Sequence, residues 1–325
     1  MKKIFVADRA SLGDTLLATP TLRAIKETYP DSRTIMMASP AARDILEGHP
    51  FVDELLLYEK GDSVFPIIKK IWRADLALIL DFHYRSSLFA WLACIPRRIG
   101  RGTKKKSFLT DQVLGTPNTH TYEVENTLAV ARYAGIDTTN TQLIMAPCHE
   151  QEKQHVKQLL MKNKVDLSMQ SMIVLAPYSL SYLKDWPEEY YQELIDFLVL
   201  HQFVVVIVGG KEHRERAEKF TGSLNMVGLM NIRETTYLIS LAELVVCGCT
   251  SVLHFAATTN TPQIAIYGPT TPVQWAPRKN CTAMTKNLPC SPCYNTGQEC
   301  RDDKLCVRQI TPIEVCAAVS QILHL

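Results

Sequence analysis

Four places in the chain carry residues whose type and spacing could do chemistry. The first is Asp14, in the stretch IFVADRASLGDTLLATPTLRAI, where a short apolar run stops at the polar loop DRASLGD. An amphipathic segment follows, with Leu22, Ile25 and Tyr29 at helical spacing. A carboxylate beside Gly13 at such a strand-to-helix corner can simply cap the helix. The second is Lys184, in YSLSYLKDWPEEYYQEL, which lies among hydroxyls (Ser179, Ser181) just before a helix that Pro187, Glu188 and Glu189 open. It reads either as a solvated lysine or as part of an anion site. The third is CGCTSVLHFAA, where a strand feeds a helix opening at Thr250 and Ser251. The free N–H groups of that helix start could hold a phosphate without a glycine repeat, with the Thr250 hydroxyl as a further donor. His254, one turn in, reads as a packed core histidine or as a ligand. The fourth is the set Cys290, Cys293, Cys300 and Cys306. A CxxC followed by two more cysteines can enclose a structural zinc or iron. Loop-packing free thiols and a redox-sensitive pair are the alternatives.

Apolar, strand-like runs alternate with helix-like segments around these places. IFVA (4–7), TIMMA (34–38), ELLLY (54–58) and LALIL (76–80) are separated by helical patterns at 16–29, 40–48, 63–73 and 85–94. After a charged stretch without cap signals near residues 150–164, the pattern restarts with MIVLAPY, VVVIVGG, ELVVCG and QIAIYGP. Continuous apolar strands alternating with helices mean parallel sheets covered on both faces. The restart predicts two doubly wound, Rossmann-like α/β domains, residues 1–160 and 161–325. Ligands of such sheets bind beyond the carboxyl ends of the strands. The two domains are therefore expected to face each other across a cleft, with the loops after residues 7, 178, 210, 248 and 267 around it. The final helix is expected to pack back on the first domain.

Charge is nearly balanced, 35 Lys+Arg against 33 Asp+Glu, which gives no case for nucleic acid as a partner. The basic cluster RRIGRGTKKK (Arg97 to Lys106) reads as a solvated loop or as a patch for an anionic acceptor or membrane surface. No apolar run approaches the ~18 to 20 residues that span a bilayer. The four apolar residues before Asp8 fall short of the ~7 to 15 of a secretory core, so a cytoplasmic location with mostly reduced thiols is expected.

These motifs together resemble glycosyltransferase family 9, the heptosyltransferases that build the lipopolysaccharide inner core from ADP-heptose. The resemblance runs from about residue 2 to residue 320. It is carried by S-L-G-D-T-L at 11–16, D-F-H-Y-R-S-S at 81–87 followed by R-R-I-G, K-D-W-P at 184–187, G-G at 209–210, and T-S-V-L-H-F-A-A at 250–257 followed by Y-G-P-T-T-P. C-S-P-C near 290 and I-T-P-I-E-V near 310 are most similar to the heptosyltransferase II branch. The resemblance implies the GT-B fold and an inverting transfer that needs no catalytic metal. The donor would be ADP-heptose, and the acceptor a lipopolysaccharide core met at the cytoplasmic face of the inner membrane.

It also implies residue roles. Asp14 would be the general base toward the acceptor hydroxyl, with Gly13 turning the backbone so that Asp14 faces the cleft. An aspartate with an ordinary pKa near ~3.9 is a weak base, so placement would decide its effect. Asp81 and Arg85 would lie on the acceptor side. Lys184 and the helix start at Thr250 and Ser251 would stabilise the departing β-phosphate, with Ser179 and His254 beside them. Met230 would lie near the adenine. The ribose-binding glutamate of the family is replaced at its own position by His213, with Glu212 adjacent. Where the family reads D-T-G, this chain reads Cys249-Thr250-Ser251. The missing Asp removes a contact toward the sugar, and the missing Gly crowds the backbone. Another sugar nucleotide, a 2-epimerase, or a silent sugar-binding relative are the alternatives this leaves. A dehydrogenase is disfavoured, because no G-x-G-x-x-G opens either half.

Overall fold

A computed structural model describes residues 1–101, 108–113, 118–293, 300 and 303–325. The chain forms two compact units, Met1–Pro147 and Cys148–Leu325, divided earlier than the expected boundary after residue 160.

In the first unit β1 (Lys3–Ala7) leads to α1 (Leu12–Leu17) and α2 (Thr19–Thr28), then β2 (Arg33–Ala38), α3 (Arg43–Leu46) and β3 (Glu54–Leu57). There follow α4 (Phe65–Ile71), β4 (Leu76–Ile79), α5 (Tyr84–Leu92), β5 (Arg97–Arg101), β6 (Asp111–Val113) and α6 (Glu123–Arg132). All strand pairs are parallel, in the order β3-β2-β1-β4-β5-β6. The residues of β1 after Lys3 are fully buried, which is why the run IFVA shows no alternation.

The second unit opens on α7 (Glu150–Lys162) and runs through β7 (Met172–Ala176), α8 (Glu188–Leu200), β8 (Val204–Ile207), α9 (Arg214–Ala217) and β9 (Leu224–Asn225). It continues with α10 (Ile232–Ser240), β10 (Leu244–Gly248), α11 (Ser251–Ala256), β11 (Gln263–Ile266), α12 (Pro272–Trp275) and β12 (Cys281–Met284). Two helices, α13 (Leu305–Arg308) and α14 (Pro312–Leu323), close the chain. Its sheet repeats the first, as β9-β8-β7-β10-β11-β12, again all parallel. Two doubly wound α/β domains are thus present, as the alternation predicts.

Three sequence readings are corrected. The charged stretch near 150–164 is α7, started by His149, whose N–H is accepted by Glu152 at 2.7 Å. It docks on α10 through Glu152 with Arg233 (3.0 Å) and Asn231 (3.0 Å), and His155 with Glu234 (2.8 Å). The first part of the basic cluster is not a loop but β5, because Ile99, Gly100 and Arg101 turn inward and Arg101 finds Glu123 as a buried partner. Residues 102–106 of that cluster lie outside the described residues. Pro187 is the residue before α8 and not its first helical one. The final helix α14 packs on α8 and β11 of its own unit, with Val315 and Val319 fully buried in that core.

Trp186 ties this core together. It is 1% exposed, meets Tyr191 edge-on at 4.9 Å, and donates its indole N–H to the carbonyl of Ile310 at 2.7 Å. It therefore joins the end of the Lys184 loop to the turn before α14. Trp186→Phe keeps most of the ring burial but leaves a buried carbonyl without its donor, so a stability loss of about 1–3 kcal/mol is expected in denaturant titration. No change in midpoint would show that the contact contributes nothing.

Candidate active site

In each sheet the strand order reverses beside its first strand, between β1 and β4 and between β7 and β10. Helices leave these neighbours on opposite faces, so the loops after them part and open a crevice. The candidate residues fall at these two places.

In the first unit, β1 ends at Ala7 and Asp8 begins the loop. Ser11 is the extended N-cap of α1, and Asp14 is the third helical residue. The Asp14 carboxylate accepts from the Ser11 amide at 3.2 Å and the Ser11 hydroxyl at 2.7 Å. Asp14 is thus not itself the N-cap, and it is held in one orientation by the residue that is. Gly13 does not make the corner. It is absent from the residues with positive φ and lies buried in the first turn of α1, so the chain turns before it. Burial raises the proton affinity of Asp14, with Glu123 adding to the rise and Ser11 and Arg101 opposing it. A carboxylate so shifted is a stronger base than the sequence alone suggests.

The loop after β4 carries Asp81, buried at 4% exposure. Its carboxylate accepts from the Arg9 amide (3.1 Å), the His83 amide (2.9 Å) and the Ser86 hydroxyl (2.8 Å). Asp81 is therefore engaged with its own loops, while Arg85 sits beside Tyr84 and Tyr58. Behind them Arg101 and Glu123 form an ion pair at 2.6 Å, each about 5% exposed. Asp8 also stands here, 2% exposed, and sequence reading passed it over because it looks like the polar end of a strand.

In the second unit the Lys184 loop lies against the end of β10. A Cβ added to Gly248 would stand 3.0 Å from the Lys184 carbonyl oxygen, so only glycine lets the loop approach so closely. Ser179 closes the loop: its amide donates to Asp185 at 2.9 Å, and its hydroxyl reaches the Ser181 carbonyl at 2.7 Å. Asp185 also meets Arg216 at 3.4 Å. Burial and the nearby Lys184 charge push the His254 imidazole down to about 4, so it is neutral. Its Nδ1 is buried without a hydrogen-bond partner, as is the Thr250 hydroxyl at the start of α11. Cys249 is 8% exposed and close enough to Cys247 and Cys281 to affect both thiols.

The loop after β8 carries Gly209, Gly210 and Glu212 and is joined to the Met230 loop through the Gly228 amide and Gly209 carbonyl at 3.0 Å. Gly228, at φ +70°, passes so near Lys211 that no side chain would fit. The His213 ring lies tilted against Tyr178, their centroids 5.2 Å apart. The structure thus groups Ser179, Lys184, Thr250 and His254, and separately joins the loops of Glu212 and Met230.

The expected zinc or iron ligands are not arranged as a metal site. Cys290, Cys293, Cys300 and Cys306 gather closely enough for neighbouring thiols, after burial, to raise Cys293 and Cys306. None of the four is in a disulfide, and among the described residues no group of three or more His, Cys, Asp or Glu side chains is placed to hold an ion. Cys300 instead accepts the Lys304 amide at 3.2 Å. Among the described residues, no helix is long and apolar enough to cross a membrane.

Comparison with known proteins fits this geometry. A likeness of fold joins the chain to the glycosyltransferase family 9 structure from Veillonella parvula (TM-score 0.86, 18% identity, 99% of this chain and 97% of that one). The structure of Escherichia coli ADP-heptose LPS heptosyltransferase II gives a TM-score of 0.80 at 22% identity, over 99% and 98% of the two chains. These likenesses confirm the α/β fold expected of the GT-B class. In sequence the chain is 26% identical over 296 residues to lipopolysaccharide heptosyltransferase 2 of Escherichia coli K12, covering 83% of this chain and 84% of that protein. The profile of glycosyltransferase family 9 (heptosyltransferase) matches residues 65–304, most of both units, and the chain is a glycosyltransferase belonging to that family.

Proposed function

We propose that the protein transfers a heptose from ADP-heptose to the lipopolysaccharide inner core, with inversion and without a catalytic metal. The observation that carries this reading is the Asp14 carboxylate, oriented by Ser11 and raised in proton affinity where the first sheet's strand order reverses. The names of the Escherichia coli relatives supply the donor and the acceptor class. In this reaction an acceptor hydroxyl oxygen bonds to the anomeric carbon, its proton passes to Asp14, and the bond to the β-phosphate oxygen breaks with its electrons leaving on ADP. Attack from the face opposite ADP inverts the centre. The Lys184 ammonium offsets the charge gained by the phosphate, and the Thr250 hydroxyl is an unengaged donor on the same side. His254, held neutral, adds no competing charge beside Lys184. Glu212 and Met230 would meet the ribose and adenine, and Arg85 the acceptor. Four of the cysteines would serve as packing thiols. The enzyme would work at the cytoplasmic face of the inner membrane.

A second reading rests on Cys249. A thiol stands where the family carries a carboxylate, so the donor would be another sugar nucleotide, or the chain would bind a sugar without transferring it. Thermal-shift screening against ADP, UDP, GDP and CMP decides the nucleotide, and stabilisation by ADP alone is expected.

Asp14→Asn should lower transfer by about 10²- to 10⁴-fold while leaving ADP affinity unchanged, because Asp14 has no nucleotide contact in this scheme. Turnover within a few-fold of the parent would remove it as base. Lys184→Ala should weaken ADP binding in calorimetry and slow turnover together, and an intact affinity and rate would make it a plain surface lysine. Cys249→Asp should raise ADP-heptose turnover by roughly tenfold if a charged hydrogen bond to the sugar is restored. The pair Cys249→Asp with Ser251→Gly should do better, since the glycine makes room. No gain from either, with good turnover of another donor, would favour the second reading.

A further inference from the structure

Three carboxylates, Asp8, Asp14 and Asp81, meet at the reversal point of the first sheet, and the transfer chemistry uses only one. The other two are almost wholly buried, at 2% and 4% exposure, an expensive state unless something is gained. Their contacts show how they divide the work. Asp81 accepts three hydrogen bonds: one from the Arg9 amide, 72 residues away in sequence, one from His83, and one from Ser86 of α5. Asp8 accepts one, from the Ala10 amide at 3.1 Å. Both bonds end on the loop that runs to Ser11, and Ser11 holds the Asp14 carboxylate.

We propose that Asp81 and Asp8 are positioning residues for Asp14, Asp81 by tethering the loop before it to the end of β4, and Asp8 by setting the charge at its back. The inference rests on Asp14 acting as the base.

Like charges in one buried site raise each other's proton affinity. Burial raises the proton affinity of both Asp8 and Asp81, but Asp81 accepts three hydrogen bonds that favour its ionised form and Asp8 only one, so Asp8 is the one that takes the proton. The groups facing Asp8 are Asp81 from the end of β4, Asp14 from α1 and Arg101 from β5. Those facing Asp81 are Arg9, His83 and Ser86, and Asp14 faces Ser11, Glu123 of α6 and Arg101. Burial first, and then the charges of Asp81 and Asp14, raise Asp8 to about 7. Below that pH a neutral Asp8 relieves repulsion in the cluster. Above it Asp8 gains a negative charge, which raises the proton affinity of Asp14 and makes it a stronger base. Turnover should therefore climb through a second ionisation near neutrality, above the ionisation of Asp14.

The test measures kcat and the KM for ADP-heptose from pH 5 to 9 in the parent and in Asp81→Asn, Ser86→Ala and Asp8→Asn. Asp81→Asn should lower kcat by roughly 10- to 100-fold with the KM and ADP affinity within about twofold, the split expected when a base is misplaced and the donor site is intact. Ser86→Ala keeps the carboxylate and removes one donor, so a drop of about three- to tenfold with the same split is expected even if Asp81→Asn fails to fold. Asp8→Asn should abolish the rise in kcat between pH 6 and 8 and keep the lower ionisation. A parent profile that is flat over that window, or one that Asp8→Asn reproduces, overturns the role of Asp8. A kcat within twofold of the parent in Ser86→Ala and in folded Asp81→Asn overturns the tether. If Asp14→Asn is inactive while these variants are unimpaired, only this inference fails. If Asp14→Asn retains turnover, the base assignment fails whatever the others do.

Discussion

The reversal of strand order beside β1 and β7 is the constraint on which the rest of each unit depends. A right-handed crossover places successive helices on one face while the order runs outward in one direction, and on the other face once it turns back. Only at the reversal do two neighbouring strands send their chains apart. In the first unit that point receives the loops after Ala7 and Ile79, and in the second the loops after Ala176 and Gly248. The chemistry of Asp14, Asp81, Lys184 and Thr250 is thus set first by topology, and only then by side-chain type.

The two crevices are furnished in opposite ways. The first gathers carboxylates and buries a single Arg101–Glu123 pair beneath them, so proton affinity there is tuned by burial and mutual repulsion. The second places a cation beside a histidine that burial keeps neutral. Its loop is fixed by packing: Gly248 admits the Lys184 carbonyl, Asp185 holds Ser179, and Trp186 anchors the far end in the core. On the proposed reading, a base and an electrophilic stabiliser would need this opposition, since negative charge that raises the proton affinity of a base would oppose stabilisation of a departing phosphate.

How legible this was in the sequence depends on the kind of interaction. Buried strands such as IFVA and MIVLA announce themselves, because burial on both faces leaves no polar alternation. α7 was hidden, since its apolar contacts are few and its docking on α10 is made by Glu152 and His155. β5 was hidden by composition: RRIGR looks like a solvated run until a partner for Arg101 is known, and Glu123 is 22 residues further along. Asp14 was found by motif, but its actual partner, Ser11, and the burial that shifts it are tertiary facts. Asp8 gave no signal, because a single Asp after a strand is ordinary in sequence and exceptional only when 2% exposed. Gly13 suggests a turn that it does not make, since the chain bends at Ala10 and enters the helix from the extended Ser11 N-cap.

On the proposed reading, Cys249 stands where the resemblance implies a carboxylate, and its surroundings suit a thiol. The side chain is nearly buried beside Cys247 and Cys281. A carboxylate in that position would need a cationic partner to offset its desolvation, and Lys184 is the cation that the proposal places at this end of the sheet. On the proposed reading, Lys184 also answers the phosphate, so its charge would be divided between the two. A thiol has no such demand. On that reading the exchange would favour the leaving group over the sugar: charge stabilisation at the phosphate would be kept whole, and a hydrogen bond toward the transferred ring given up.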